Sequence, residues 1–388
     1  MPQGPLAGVR IVDLTDERAI YGAKLLADLG ADVIRPEPPG GDPLRQRGPQ
    51  AAGGASLWHA FFATSRRFVT IDPTSPADVG QLRALAARAD ILLTCDGAFG
   101  ADLLDLEALR AAHPSQVVVA VSSFGDDGPW RGMLAPDLVA GALGGIVATT
   151  GTPDTTPLKT FGEMNFMTSG SYTAIAALSA LRHARVTGEG QRVGVPAHEC
   201  IAATLEHVLM FALYGEKMGR GRLLPRQGGI NWTMAYKLLP AKTGAIMVTP
   251  APNFDNQVVW LVEEGIEEDL LDAKYQQPEN AMLYVNRIMD ILAKWVAQKD
   301  PEQLFFEGQE RHAPYGWVLP IERLRENPQL EARNWWVPYR IDDAEVRGPG
   351  TPYRLSDTPW DRRDPVTTDA TTVLADLGWS QPGAGRAR

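Results

Sequence analysis

Residues 157–195 read PLKTFGEMNFMTSGSYTAIAALSALRHARVTGEGQRVGV and contain the most informative pattern in the chain. Ile175, Leu178 and Leu181 keep helical spacing, and no charged residue stands between Glu163 and Arg182, so the pattern predicts a buried helix over 165–184. Glu163 precedes this helix, where unpaired backbone N–H groups and the helix dipole favour a carboxylate. It is either an ordinary acid at a helix start or a functional group, and this stretch alone leaves both readings open.

The composition of the 388-residue chain is that of an ordinary globular protein, with 44% hydrophobic and 22% charged residues. Its net charge of -10 argues against nucleic acid as a partner. Cys95 and Cys200 are too few for a disulfide framework, and the six histidines lack metal-ligand spacing, so we expect no metal. The sequence contains no signal-peptide pattern and no apolar run of about 18 residues. These features predict a cytoplasmic protein without a membrane partner.

The first third of the chain alternates short apolar strands with helices, which predicts a parallel sheet covered by helices. The expected strands are 9–14, 31–35, 68–71, 91–94 and 116–122, and the expected helices are 23–29, 57–63, 77–89 and 103–112. Strand 116–122 contains the continuous run VVVAVS, which is typical of a strand buried on both faces. The predicted fold class is therefore α/β with a Rossmann-like, doubly wound large domain. No GxGxxG motif follows the first strand, so a dinucleotide site is disfavoured.

The second half of the chain has a different pattern. After a helix at 137–146, the helix at 165–184, a strand at 192–195 and a helix at 199–214, residues 215–232 are rich in glycine and arginine and predict a linker. Residues 233–310 combine strand pairs with helices at 256–264 and 283–298, which predicts a smaller α+β domain. A second linker is expected at 311–324. The last expected helices are 321–326 and 371–377.

Several segments together resemble a known family. They are PLAGVRIVDL, LLADLGADVIRPEPPGGDP, the GP of DDGPW, ALGG, ALSALRHARVTGEGQRVGV and NPQLEAR. Through them the sequence resembles the class III CoA-transferase family, which includes formyl-CoA transferases, carnitine CoA-transferases and α-methylacyl-CoA racemases. The resemblance implies a large domain of residues 1–214 completed by 325–388, and an interlocked homodimer in which each subunit is a ring threaded by the other. It also implies coenzyme A, as acyl-CoA, and a carboxylic acid as substrates.

The same resemblance assigns the catalytic residues. The family's nucleophile is an Asp directly after a Gly at the start of the long helix, and Glu163 occupies that position. In the family mechanism this carboxylate attacks the acyl-CoA carbonyl, CoA returns to give an enzyme-bound thioester, and the incoming acid takes the CoA through a second anhydride. Asp137 matches a second acid near the nucleophile, although an exposed acid at the start of its own helix explains it as well. Gly228 and Gly229 match a glycine-rich lid, or form an ordinary turn.

Seven positions correspond to the CoA-binding segments of the family: Arg18, Ala19, Arg35, Arg66, Arg67, Cys95 and Asp96. Guanidinium groups such as those of Arg66 and Arg67 are suited to phosphates, although a solvated strand edge explains this pair too. The family's Ala-Gly-Pro loop is replaced here by residues 18–20, and its Asn-Phe-Arg-Pro-Gly loop by residues 94–97. The resemblance therefore implies CoA contacts that are rebuilt, with Arg18 as a new phosphate ligand, or weakened.

Three functions fit these residues. The first is CoA transfer from an acyl-CoA donor to a carboxylic acid acceptor, with Glu163 as the nucleophile. The second is a CoA-ester isomerase or racemase, which Pro136 disfavours because the family's racemases have a histidine at that position. The third is a non-catalytic member, either a binding protein or the silent subunit of a heteromeric transferase formed with a related subunit.

Overall fold

The computed structural model describes residues 3–151, 155–217, 235–250, 254–376 and 378–379. The strands are β1 Arg10–Leu14, β2 Asp32–Glu37, β3 Arg66–Thr70, β4 Ile91–Cys95, β5 Val117–Ser122, β6 Arg192–Pro196, β7 Lys237–Pro240, β8 Ala245–Val248, β9 Gly316–Trp317, β10 Val337–Ile341, β11 Ala344–Gly348 and β12 Val366–Thr368. The α-helices are α1 Ile20–Asp28, α2 Leu57–Phe62, α3 Pro76–Arg88, α4 Leu106–Ala112, α5 Asp137–Leu143, α6 Ile146–Thr149, α7 Met164–Thr187, α8 Ala197–Ala202, α9 Glu206–Tyr214, α10 Phe254–Glu263, α11 Ala281–Val296, α12 Pro301–Glu310, α13 Ile321–Leu324, α14 Pro328–Ala332 and α15 Ala370–Ala375.

The chain divides into two compact units. The first consists of Met1–Val147, Lys159–Leu209 and Glu331–Arg388, and the second of Ala148–Leu158 and Met210–Leu330. The linkers expected at 215–232 and 311–324 stay predictions, and most of the first lies outside the described residues.

A seven-stranded parallel sheet forms the centre of the first unit. Its strand order is β12-β3-β2-β1-β4-β5-β6, and every neighbouring pair is parallel. From β3 to β6 this is the order of a doubly wound nucleotide-binding fold, so the predicted fold class is confirmed. All residues of β1, β4 and β5 are buried, as expected for apolar strands covered on both faces. The strand order reverses between β1 and β4, and folds of this kind bind ligands outside the carboxyl ends of the strands at such a point.

The C-terminal segment completes this sheet at its β3 edge. Strand β12 pairs with β3 in register Thr367 to Phe68. The side chains of Val373 and Trp379 are fully buried and join a core cluster that contains Leu82. The sequence pattern predicted the helix near 371 but not this short strand.

The second unit is α+β, as the sequence predicted. Strands β7, β8 and β9 form an antiparallel sheet. Its core contains the rings of Trp260, Trp295 and Tyr315, in which Trp260 meets Trp295 edge to face at 4.9 Å and stacks on Tyr315 at 5.7 Å. Trp260 and Trp295 therefore belong to the core of this unit.

Three predicted helices differ from the structure. The helix expected at 137–146 is divided into α5 and α6, because Gly145 has a φ of 90° that no helix accommodates. The helix expected at 199–214 is divided into α8 and α9. The prediction that the helix at 165–184 is buried was wrong for one face, since Ile175 is 59% exposed and Tyr172 37% exposed. A helix that packs against the sheet and α1 on one side leaves its other side to solvent in a single chain.

Helices α1 and α7 approach closely where two glycines meet. A Cβ atom added to Gly22 would lie 2.3 Å from the carbonyl oxygen of Gly170 and 3.0 Å from Cβ of Thr173. These glycines allow the two helix backbones to contact directly. The contact fixes the position of α7, and with it the residue at the start of that helix.

We expect Gly22→Ala to lower the free energy of unfolding by about 1–3 kcal/mol or more, because the backbone of α7 must move away from the added methyl group. Gly80→Ala is the matched control, since Gly80 also lies within a helix but its added Cβ meets nothing within 4 Å. That control should raise stability by roughly 0.5–1 kcal/mol through its higher helix propensity. Urea titrations of both variants give the comparison, and equal effects would contradict the contact.

Candidate active site

Glu163 lies at the start of α7, as the sequence predicted. Gly162 precedes it with a φ of 70°, a conformation that favours glycine, and turns the chain into the helix. The carboxylate of Glu163 makes no hydrogen bond to the backbone of its own helix. Arg47 Nη2 contacts Oε1 in a short ion pair, and the indole Nε1–H of Trp58 donates to Oε2 at 2.9 Å. With 20% of its side chain exposed, Glu163 is partly accessible and held from two sides.

The segment between β2 and β3 places both donors. Asp42 accepts a hydrogen bond from the backbone N–H of Leu44 at the start of a 3-10 turn over Pro43–Gln46. Arg47 directly follows this turn, so the turn determines its position. Ser56 then caps α2 by accepting from the backbone N–H of His59, and its hydroxyl donates to the carbonyl of Arg47. This single serine couples Arg47 to the helix that carries Trp58.

Arg47 has two further contacts that orient its guanidinium group. Its Nη1 lies 3.4 Å from Oε1 of Glu17, and its guanidinium carbon lies 4.7 Å from the centroid of the Trp58 ring, within cation–π range. The side chain is 32% exposed. Arg47 therefore lies between two carboxylates, with one face on an aromatic ring.

Asp137 is buried and supports the helix start beside Glu163. Its Oδ1 accepts from the backbone N–H of Phe166, and its Oδ2 accepts from the side-chain amide of Asn165 at 2.9 Å. Asp137 thus satisfies a donor in the first turn of α7, a helix other than its own. Lys159 Nζ lies 3.0 Å from Oδ2 of Asp137 and also donates to the carbonyl of Gly162. The alternative reading of Asp137 as an exposed acid was wrong.

Four of the residues predicted to bind CoA meet at the point where the strand order reverses. Ala19 precedes α1 and is fully buried, and Cys95 ends β4, where burial raises the pKa of its thiol well above the usual value. Arg18 Nη1 pairs with the carboxylate of Asp96, while Nη2 donates to the carbonyl of Asp96 at 2.6 Å. The loops after β1 and β4 are therefore joined by one arginine.

Arg18 is also linked to the helix that carries Glu163. Its Nε donates to Asp16 at 2.9 Å, and its backbone carbonyl accepts from the hydroxyl of Ser169 on α7. The loop after β1 and the start of α7 are thus held by one set of hydrogen bonds.

The other three predicted ligands bind acceptors within the protein. Arg66 is buried and donates to Oδ2 of Asp13 at 2.8 Å, so the alternative of a solvated strand edge is wrong for this residue. Arg35 is also buried and lies 3.1 Å from the same oxygen of Asp13. Burial raises the pKa of Asp13, but the charges of Arg35 and Arg66 outweigh it and leave that pKa below its usual value. Arg67 pairs with Asp32, at the amino end of β2.

Comparison with known proteins shows to which family this chain belongs. The model of CoA-transferase family III matches residues 6–367. The chain belongs to CoA-transferase family III. Among its relatives, succinyl-CoA–D-citramalate CoA-transferase of Chloroflexus aurantiacus is 29% identical over 92% of this chain and 89% of its own. The succinyl-CoA:(R)-benzylsuccinate CoA-transferase subunit BbsE of Thauera aromatica is 30% identical over 90% of this chain and 88% of its own.

A solved structure shows the same fold. The CAIB/BAIF family protein from Brucella suis superposes with a TM-score of 0.81 at 26% identity, covering 96% of this chain and 98% of the other. In the described part of this family III chain, no group of three or more His, Cys, Asp or Glu is placed to hold a metal ion. No described helix is both long and apolar enough to cross a membrane.

Sequence reasoning missed Arg47, Trp58 and Lys159. Arg47 and Trp58 are separated from Glu163 by 116 and 105 positions, so no local spacing relates them to the acid. Arg47 stands in the turn-rich segment after β2, a segment from which the sequence analysis selected no residue. The predicted lid residues Gly228 and Gly229 lie outside the described residues.

Proposed function

We propose that the protein transfers CoA from an acyl-CoA to a carboxylic acid and that Glu163 is its covalent nucleophile. The reaction class follows from membership in CoA-transferase family III. One observation supports the role of Glu163: its partly exposed carboxylate lies at the start of α7, where Arg47 and Trp58 bind its two oxygens. A carboxylate placed in this way divides a difficult exchange into easier steps.

The first half of the reaction produces CoA on the enzyme. An oxygen of Glu163 attacks the carbonyl carbon of the acyl-CoA, and the C–S bond breaks with its electron pair leaving on the CoA sulfur. The resulting thiolate attacks the Glu163 carbonyl carbon of the mixed anhydride, and the donor acid leaves as a carboxylate. The second half reverses these steps with the acceptor acid. Trp58 Nε1–H, at 2.9 Å from Oε2, is the donor for negative charge that develops on this oxygen.

The donor in this proposal is a short dicarboxylic acyl-CoA of the succinyl-CoA type. Support comes from two relatives that cover most of the chain and whose names contain succinyl-CoA. The acceptor is a carboxylic acid, and it binds where the donor acid leaves.

We place CoA at the carboxyl ends of β1 and β4. Arg18, Ala19, Cys95 and Asp96 form this edge, and crevices at such a reversal of strand order are the usual ligand sites of doubly wound sheets. Arg18 joins the loops of this edge through its ion pairs with Asp16 and Asp96. We assign Arg35, Arg66 and Arg67 to shaping the edge of the sheet, because their guanidinium groups bind Asp13, Asp42 and Asp32.

An interlocked homodimer is the proposed assembly. Large apolar side chains near the candidate site are exposed in the single chain, including Phe161 at 97%, Leu134 at 85% and Met164 at 56%. Such side chains are typical of a surface that another subunit covers. A native mass of one chain in light scattering would contradict this assembly.

Mass spectrometry of a tryptic peptide tests whether Glu163 is the nucleophile. Trypsin cleaves after Lys159 and Arg182, and Glu163 is the only acidic side chain in peptide 160–182. We expect that incubation with succinyl-CoA gives this peptide the mass of a CoA thioester, and that hydroxylamine converts the adduct to a hydroxamate. An active enzyme whose peptide 160–182 stays unmodified would contradict the proposal.

A silent subunit is the second candidate function. Two relatives are named as subunits, the Thauera aromatica protein and the alpha subunit of succinyl-CoA–L-malate CoA-transferase of Chloroflexus aurantiacus. In this case the chain alone forms no adduct although CoA binds in calorimetry, and activity appears only with a second, related subunit.

A further inference from the structure

Arg47 is the residue of the site whose partner must change during the proposed reaction. In the free protein its Nη2 pairs with Oε1 of Glu163, while Nη1 lies 3.4 Å from Glu17. Its side chain is 32% exposed, whereas those of Arg35 and Arg66 are 6% and 0% exposed. A small molecule can therefore reach Arg47, but it cannot reach the two arginines that hold Asp13.

The charge on Glu163 disappears in the middle of the cycle. This step rests on the proposed function, in which the first half of the reaction converts the Glu163 carboxylate into a neutral CoA thioester. Arg47 Nη2 then has no anion on that side. Glu17 still lies against Nη1 and the Trp58 ring lies against the guanidinium face, so the group keeps its orientation. The structure thus presents an oriented cation directly beside the thioester carbonyl carbon.

We propose that Arg47 binds the reacting carboxylate of the acid acceptor while Glu163 carries CoA. The acceptor must bring one carboxylate oxygen to the carbonyl carbon of Glu163, and Nη2 already contacts an oxygen attached to that carbon. A guanidinium group binds carboxylates in a defined plane and so directs the attacking oxygen. Arg47 Nη2 therefore holds one carboxylate in each state: Glu163 in the free enzyme and the substrate acid in the CoA enzyme.

The chemistry of this exchange is balanced without a further reactant. The acceptor oxygen forms a bond to the Glu163 carbonyl carbon, and the C–S bond of the thioester breaks to release the CoA thiolate. The thiolate then attacks the acceptor carbonyl, the anhydride C–O bond breaks, and Glu163 regains its negative charge. That charge returns to Arg47 as the acceptor becomes a neutral acyl-CoA. The departure of the product is thus coupled to the reformation of the ion pair.

The experiment separates the two halves of the reaction. The CoA adduct is formed on Glu163 with succinyl-CoA, free succinate and succinyl-CoA are removed, and added succinate discharges the adduct. In Arg47→Gln we expect adduct formation within about 10-fold of the wild-type rate, because the same change frees the nucleophile. The succinate concentration for half-maximal discharge should rise about 10- to 100-fold, the factor for losing a hydrogen bond to a charged group.

Two further variants distinguish acceptor binding by Arg47 from a purely structural role of this residue. Arg47→Lys keeps the cation, so it should recover a large part of the succinate dependence. Arg110→Gln is the matched control, because Arg110 is also 32% exposed and its guanidinium group pairs with Glu107 on its own helix, α4. This control should discharge with wild-type succinate dependence.

Two outcomes would overturn the role of Arg47 while leaving the proposed function intact. One is a wild-type succinate dependence in an Arg47→Gln protein that forms the adduct. The other is complete loss of adduct formation in a folded Arg47→Gln protein, since this would assign Arg47 to Glu163 alone. If the wild-type protein is active and forms no adduct, the proposed function fails, and the role of Arg47 fails with it.

Discussion

Glu163→Gln is expected to lower kcat/KM for CoA transfer by about 10⁴-fold or more, the order of magnitude seen when a covalent nucleophile is removed. The amide keeps the shape of the side chain and the hydrogen bond from Trp58, but it has no anionic oxygen to attack the acyl-CoA carbonyl. Exchange of labelled succinate into succinyl-CoA measures the rate. Because donor acid and acceptor are the same compound, the assay does not depend on the acceptor's identity.

Glu163→Asp is the control that keeps the carboxylate. Shortening the side chain withdraws the attacking oxygen by about 1 Å from its position in the glutamate, and a misplacement of a reacting atom by this distance costs about 100-fold. Glu163→Asp should therefore retain more activity than Glu163→Gln and less than the wild type. Activity of Glu163→Gln above that of Glu163→Asp would show that the carboxylate is not the reacting group.

Asp13→Asn is expected to lower the free energy of unfolding by about 3–5 kcal/mol at pH 7. Asp13 is fully buried in β1 and accepts from Arg66 and Arg35, and the change leaves these two buried cations without their shared anion. Urea titration followed by circular dichroism measures the loss. Asp102→Asn is the control, because Asp102 is exposed and its replacement should change stability by less than about 0.5 kcal/mol.

The pH dependence of the free energy of unfolding is a second measurement of the contribution of Asp13. The pKa of Asp13 is lower in the folded protein than in the unfolded chain, so its contribution is fully present above the unfolded pKa, near 4. It is lost as the pH falls from there toward the folded pKa. The slope of stability against pH below about 4 should therefore be smaller in Asp13→Asn than in the wild type, and an unchanged slope would contradict this account.

The central sheet was predictable because its strands carry their own signal. The run over Val117–Ser122 is apolar throughout, and a strand covered on both faces requires such a run. Strand β12 carries no such signal, since Val366–Thr368 is short, mostly polar and at the edge of the sheet. Its pairing with β3 depends on contacts that are nearly 300 positions apart, which no local pattern encodes.

The site was predictable only in part, for a related reason. Glu163 and Asp137 stand at helix starts, where the sequence marks an acid, and the resemblance to a family added their roles. Arg47 and Trp58 belong to the turn-rich segment after β2 and the short helix that follows it. They reach Glu163 only after the sheet has folded and α7 has packed against α1. Long-range placement of this kind is a property of the tertiary structure.

Because β12 is synthesised after the other strands of the central sheet, the edge of β3 with which it pairs stays open until late in translation. Strands β1 to β6 leave the ribosome before β12 and Trp379, so β3 is an unpaired edge strand for most of translation. An unpaired edge is a template for pairing with other chains. A chain that ends early, or a fusion that displaces the last 25 or so residues, would therefore be released with this edge open, and aggregation rather than loss of activity would be its first defect.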